Sequence, residues 1–293
     1  MRDVIIIGKG PAGISAAIYL KRAGIDVLVI GKGFGALEKS EKIENFYGLE
    51  EPLSGRELVE KGITQAESLG IDVISEEIIS IIKEDNFIVN AVSEKYEAKA
   101  VLIATGKSRT NLNIKGFEDF KGKGISFCAV CDGFFYRNKK IAVIGNGDYA
   151  MNELNELRNF TKDITLFTNG KKLTAEIIPQ GVPICTDKIT EFYGDDKIKG
   201  IIAGNTKYDV DGVFVAVGTA SASDFAMKMG VFTEDQNIIV DENFMTNIEG
   251  LYAAGDAIGG FLQIAKAVSD GAHASKSIIK YIKNVNKEKI LWQ

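Results

Sequence analysis

The chain has 293 residues, 45% hydrophobic and 26% charged, which is enough for two globular domains with proper cores. A net charge of −5 and a pI near 5.2 give no global basic field, which argues against nucleic acid or an anionic membrane as the main partner. No apolar run is long enough to span a bilayer, and three cysteines, two of them closely spaced, are the usage of a reducing cytosol and not of a secreted scaffold.

Met1-Arg2-Asp3 runs straight into Val4-Ile5-Ile6-Ile7, which predicts no signal peptide and a parallel strand buried on both faces. Gly8-Lys9-Gly10-Pro11-Ala12-Gly13 then forms a turn, Ile14, Ala17 and Ile18 give the next helix an apolar face, and Val27-Leu28-Val29-Ile30 is a second strand. This is a Rossmann-type unit, whose helix start offers free backbone N–H groups and a positive dipole end to a pyrophosphate. The acid expected after the second strand, to hold ribose hydroxyls, is replaced by Gly31. Ile141-Ala142-Val143-Ile144 followed by Gly145, Gly147 and Ala150 repeats the pattern, with a helix expected to about Phe160 and a strand at Ile164-Thr165-Leu166-Phe167. Two strand-to-glycine segments follow, Val213-Phe214-Val215-Ala216-Val217-Gly218 and Leu251-Tyr252-Ala253-Ala254-Gly255-Asp256. The second leads into a stretch where Ile264, Ala267, Val268, Gly271, Ser275, Ile278 and Ile282 recur at helical spacing. Turn-forming and polar residues place the crossings between units in 106–117 and 241–250.

Between the two glycine turns lies Cys128-Ala129-Val130-Cys131-Asp132-Gly133. A CxxC spacing closes a small redox-active disulfide, and a following carboxylic acid trades protons with a thiolate. Half of a zinc site, or two buried thiols, are the other readings. A structural zinc site wants four Cys or His ligands, and the whole chain offers Cys128, Cys131, Cys185 and His273. The flanking fingerprints favour flavin-linked disulfide chemistry, and no metal is expected.

With Gly8-x-Gly10-Pro11-Ala12-Gly13, Ile103-Ala104-Thr105-Gly106, the CxxC hexapeptide and Ala254-Gly255-Asp256 in this order, the chain resembles the low-molecular-weight thioredoxin reductases. The resemblance implies an α/β fold of two Rossmann-like, three-layer domains, the second inserted into the first. A discontinuous FAD domain would take 1–112 and 244–293, and a CxxC-bearing domain 113–243. It further implies that Cys131 is the sulfur nearer the flavin, Cys128 the thiol that attacks the substrate disulfide and Asp132 the general acid. Gly255 and Asp256 would lie at the flavin ribitol and pyrophosphate, Ile43-Glu44-Asn45-Phe46 beside the adenine and flavin wall, and Leu262-Gln263-Ile264 would bring a backbone amide near the isoalloxazine. Thr105 and Gly106 complete the expected cofactor contacts. Gly31 is tolerable within this family, and a cytoplasmic homodimer acting on thioredoxin is expected.

The departures bear on the electron donor. NADPH-dependent members carry a histidine and clustered arginines after the strand ending at Phe167, because guanidinium forks bind phosphate oxygens bidentately. Here the segment is Thr168-Asn169-Gly170-Lys171-Lys172, and the chain between Lys172 and Val213 looks shortened. The turn at Gly145, Gly147 and Ala150 is read as tight packing of strand on helix. A kept CxxC with a degraded clamp is similar to the ferredoxin-dependent flavin thioredoxin reductases of clostridia, which makes ferredoxin the expected donor. An NADH- or NADPH-dependent reductase and a flavin redox sensor that does not turn over are the alternatives. Lys121, Lys123, Arg137, Lys139, Lys140, Lys171 and Lys172 are the candidates for steering an acidic ferredoxin. His273 is read as solvated, Cys185 as a buried single thiol, and the end of the chain, with Trp292, as a frayed tail.

Overall fold

The computed structural model describes residues 1–107 and 112–291, the last four of these by backbone alone. Trp292 therefore lies outside the described residues. Contacts divide the chain into two compact units, one of Met1–Ser108 with Ser221–Gln293 and one of Arg109–Ala220.

The first unit begins with β1 (Arg2–Ile7), α1 (Pro11–Arg22), β2 (Val27–Ile30), α2 (Gly55–Ser68), β3 (Asp72–Ile74), β4 (Ile78–Lys83), β5 (Phe87–Ala91) and β6 (Lys95–Ile103). Val4 to Ile7, all of β2 and the end of β6 are buried, as unbroken Val, Ile, Leu and Ala runs require of central parallel strands. The strand order is β3-β2-β1-β6-β5-β4, parallel as far as β6 and antiparallel beyond.

The second unit contains α3 (Phe117–Phe120), β7 (Ile125–Ser126), α4 (Ala129–Asp132), β8 (Ile141–Ile144), α5 (Asp148–Leu157), β9 (Ile164–Phe167), β10 (Ile184–Cys185), β11 (Ile189–Gly194), β12 (Ile198–Ala203), β13 (Thr206–Asp209) and β14 (Gly212–Val215). Five parallel strands run β10-β9-β8-β14-β7. Successive side chains of a strand face opposite ways, so Ala142, Ile144, Val213 and Val215 turn to one side. There they meet Ile189, Phe192, Ile201 and Ala203 of the antiparallel sheet β11-β12-β13.

After Ala220 the chain returns to the first unit as α6 (Ala222–Met229), β15 (Thr233–Glu234), β16 (Asn237–Ile238), β17 (Leu251–Ala253) and α7 (Ile264–Leu291). Ser221 and Asp224 cap α6 reciprocally, and Gly230 ends it in a left-handed conformation, φ 73°. The second crossing thus falls between Ala220 and Ser221, ahead of the boundary at 243 to 244 expected from the sequence. The reason is packing, since α6 buries Ala222, Phe225 and Ala226 and contacts β4 and β16 of the first unit.

β17 completes the first sheet. One edge of β6 pairs with β1; on the other, residues 95–98 pair with β5 and 101–103 with β17. α7 then lies on α1, where a Cβ at Gly271 would stand 2.1 Å from the Ala12 carbonyl oxygen and the Ser15 hydroxyl donates to Val268 O at 2.7 Å. Ala16, Ala17, Ala274, Ile278 and Ile282 are all buried in the same core. No described helix is long and apolar enough to cross a membrane. Gly271→Ala should destabilise the protein by about 1–3 kcal/mol through overpacking, seen as a lower thermal unfolding midpoint; an unchanged midpoint would mean that the two helices have room to spare.

Candidate functional site: a dinucleotide cradle and a redox disulfide

In the first unit, α1 starts at Pro11 with Gly10 as N-cap, and no side chain caps it. Proline at this position has no N–H to lose, while the amides of Ala12 and Gly13 have no acceptor within the helix. A Cβ at Gly10 would meet nothing within 4 Å, so the turn faces open space there. Behind it the fit is tight, because a Cβ at Gly13 would stand 1.9 Å from the Gly8 carbonyl oxygen. The Gly8 turn lies against Ala104 and Thr105 at the end of β6, and Gly255, φ 75°, lies against Ala12. Thr105 Oγ1 is buried with no hydrogen-bond partner among the described residues. The structure therefore brings together Gly8, Gly10, Pro11, Ala12, Gly13, Thr105, Gly106, Gly255 and Asp256. Asn45 and Gln263 form a second group, Asn45 Nδ2 donating to Gln263 Oε1 at 3.1 Å, with Ile264 opening α7.

Gly31 has a packing reason. A Cβ there would lie 3.0 Å from the Lys9 backbone nitrogen, so the first turn rests where an acidic side chain would begin. The Lys9 ammonium donates to Ser75 Oγ at 2.8 Å, and burial pushes its pKa below the ordinary lysine value.

Sequence reasoning missed the clamp that holds Gly255. Asp270 accepts the Gly255 N–H at 3.1 Å and pairs with Lys266 at 2.7 Å, while Lys266 Nζ donates to the carbonyls of Gly255 and Gly259. The Lys and Asp stand four residues apart at the start of α7, a spacing readable as a pair on one helix face.

The second unit carries the cysteines. Cys128 and Cys131 are joined in a disulfide with Cα atoms 5.3 Å apart. Cys128 is the N-cap of α4, its sulfur accepting the Cys131 N–H at 3.2 Å. Cys128 is 2% exposed, whereas Cys131 is exposed. Attack of Cys128 on a partner's disulfide, the role implied by the resemblance, requires access that its burial withholds in this arrangement. Asp132 is oriented by the buried Ser126, whose hydroxyl donates to Asp132 Oδ2 at 2.7 Å and accepts the Cys128 N–H at 3.1 Å. A second carboxylate stands behind the pair, where Glu153 of α5 accepts the Ala129 N–H at 3.0 Å. Burial raises the Tyr136 phenol above its ordinary pKa, with Asp132 and Asp211 adding to the effect. Val130, Phe134 and Phe135 are exposed beside the disulfide, and the Arg137 guanidinium stands 5.2 Å over the Phe134 ring.

At the second glycine turn, a Cβ on Gly145 would fall 2.2 Å from Ala216 O and 2.5 Å from the Ala150 Cβ, which is strand-on-helix packing. The chain itself covers this turn. Thr174 and Ala175 donate backbone N–H groups to Asn146 O at 2.7 and 3.2 Å, Asn146 Nδ2 donates to Lys172 O, and the Glu176 N–H donates to Asp148 Oδ1 at 2.8 Å. Asp148 is the first residue of α5. Cys185 is buried and His273 exposed.

Rossmann-type units with a redox disulfide define a disulfide oxidoreductase. The family model of the pyridine nucleotide-disulphide oxidoreductases matches residues 2–271. A thioredoxin reductase of Listeria innocua is 34% identical over 97% of this chain and 95% of its own. The atypical thioredoxin reductase TRi of Desulfovibrio vulgaris Hildenborough superposes with a TM-score of 0.88 at 37% identity, covering 97% of this chain and 99% of that one. A ferredoxin-flavin thioredoxin reductase of Clostridium acetobutylicum has a TM-score of 0.73 at 29% identity, covering 97% and 98%. The chain belongs to the pyridine nucleotide-disulphide oxidoreductases, and among them to the low-molecular-weight thioredoxin reductases. Proteins of this family bind FAD, and the open helix start at Gly10 with the unpaired Thr105 hydroxyl fits such a dinucleotide. Lys266→Met should speed release of FAD roughly tenfold or more, the scale of a lost hydrogen bond from a charged donor; flavin fluorescence on dilution measures it, and a wild-type release rate would show that the clamp does not serve the cofactor.

Proposed function

We propose that the protein takes electrons from reduced ferredoxin and passes them through FAD and the Cys128–Cys131 disulfide to the disulfide of thioredoxin. Thioredoxin as acceptor is supported by the relatives, which are thioredoxin reductases over nearly their whole length. The donor rests on one observation, the closure of the second glycine turn by residues 172–176. A nucleotide's phosphates would need the amides and positive dipole at that helix start, yet Asp148 places a carboxylate there and the strap lies hydrogen-bonded across Asn146. No arginine stands among residues 168–172 to form a fork. The likeness to a ferredoxin-flavin enzyme supports the same donor. The energetics permit it, since about −400 mV for a plant-type ferredoxin against about −270 mV for thioredoxin leaves roughly 6 kcal/mol for two electrons.

FAD, when bound, links one-electron delivery to two-electron disulfide chemistry. The chain's own residues do the rest. Cys131 serves as the sulfur nearer the flavin, and Cys128, buried in the arrangement described, attacks thioredoxin once a rearrangement uncovers it. As the mixed disulfide resolves, Asp132, held by Ser126, gives its proton to a leaving sulfur. Lys171 and Lys172, exposed beyond β9, are placed to steer an acidic donor. A homodimer and the cytoplasm complete the reading, on the family resemblance and on cysteine usage. The second reading is a nicotinamide-dependent reductase, favoured by the glycine spacing at Gly145, Gly147 and Ala150 and by the matched family's pyridine nucleotide chemistry.

Cys128→Ser and Cys131→Ser should each abolish thioredoxin reduction with FAD retained, and Asp132→Asn should slow turnover by ~10²-fold or more. Normal turnover in the asparagine variant would remove Asp132 from the mechanism. Millimolar NADPH should leave the flavin absorbance unbleached under anaerobic conditions, while photoreduced ferredoxin supports continuous thioredoxin reduction. Charge reversal at Lys171 and Lys172 should slow ferredoxin association most at low salt. Saturable NADPH oxidation coupled to thioredoxin, with no response to ferredoxin, would select the second reading; stoichiometric reaction that then stops would indicate a sensor.

A further inference from the structure

Glu153 is 2% exposed, and its Oε2 accepts the N–H of Ala129, the residue that follows Cys128 and opens α4. A carboxylate thus stands at the start of the CxxC helix, on the peptide that joins Cys128 to Ala129. Burying a charge is costly, and an uncharged amide side chain could accept the Ala129 N–H without it. The charge itself is therefore the feature to explain. Other ionisable groups near α4 among the described residues include Asp132, turned to Ser126 at 2.7 Å, Tyr136 and Arg137 just beyond it, and Tyr149 one turn before Glu153 on α5.

Opening the disulfide breaks the S–S bond with two electrons and, when both sulfurs end as thiols, takes up two protons from solvent. Free amides at a helix start stabilise a cysteine thiolate and so favour the reduced form. Glu153 acts against both influences, because it occupies the Ala129 amide and sets a negative charge next to Cys128. We infer that Glu153 is a positioning residue of the dithiol, which holds the Cys128–Cys131 couple strongly reducing by disfavouring a thiolate at Cys128. A neutral disulfide is indifferent to that charge, so the equilibrium moves toward the disulfide and the reduced pair gives up electrons to thioredoxin more readily. This deepens the dithiol step of the proposed function and is independent of the donor.

The test equilibrates the FAD-loaded protein with graded ratios of reduced to oxidised dithiothreitol at pH 7, traps thiols with N-ethylmaleimide and reads the oxidised fraction of the pair by mass. Glu153→Gln keeps an oxygen for the Ala129 N–H and removes the charge. Reduction should become about tenfold more favourable, a rise of about 30 mV, and alkylation of Cys128 at fixed pH should quicken. Glu153→Asp keeps the charge but draws it back, and should shift the couple in the same direction by less. A wild-type couple in the glutamine variant with FAD still bound overturns the inference; should that variant fail to fold, a wild-type couple in Glu153→Asp does so. Neither thioredoxin nor ferredoxin enters the measurement, so failure of the proposed function would show separately, in turnover.

Discussion

α7 lies on α1 with backbone against backbone, at a distance that only the missing side chain of Gly271 permits. The first unit's site depends on that contact. It carries Gly255, Lys266 and Asp270 from the end of the chain to the turn at Gly8, and the Ser15 hydroxyl reaching Val268 O fixes their register. Alanines at 16, 17 and 274 keep the surfaces flat enough for this approach, and Ile278 and Ile282 fill the space beyond. Two segments far apart in sequence are thereby held as one cradle, with half-buried Lys266 and buried Asp270 paired and bonded to the backbone of the loop they secure.

The second unit reuses the same strand-turn-helix plan for a different end. Its glycine at 145 serves the approach of α5 to β14, and residues 174–176 donate their own amides across the turn to Asn146 O and Asp148 Oδ1. Polar groups accumulate instead around the disulfide. Ser126 and Glu153, both nearly inaccessible, bond to the backbone on either side of the Cys128 carbonyl, so a four-residue helix too short to persist alone is held at its start by side chains of β7 and α5.

Much of this was legible in the sequence. β2, β8 and β9 span the residues predicted for them, because glycine or polar residues bound their β-forming runs sharply. β1 begins earlier than its apolar run, since Arg2 pairs with Ala98 in the sheet while its guanidinium binds the carboxylates of Asp26 and Asp72. α5 stops at Leu157, short of Phe160. The return to the first unit was misplaced because 241–250 is rich in turn formers, while the true signal, Ser221 three residues ahead of Asp224, is a helix-capping pattern. Glycines and cysteines announce themselves, whereas nearly every bond of the strap at 172–176 has a backbone group at one end at least, which any sequence supplies. Glu153 did leave a trace. It shares the apolar stripe of Ala150, Leu154 and Leu157, and a lone acid on such a stripe asks for a partner.

The divided edge of β6 has a consequence for the protein as it is made. β5 covers only the first part of that edge, and β17, which covers the rest, is encoded after the whole of the second unit. At about 5–20 residues per second, a ribosome needs on the order of 10–30 s to travel from one to the other. Throughout that interval the nascent first unit exposes unpaired backbone at residues 101–103, and the α1 surface that α7 will bury is bare. The inserted unit has been made before its host is complete, so the host closes last, and a chain cut short after Ala220 retains the open strand edge through which unfinished sheets associate.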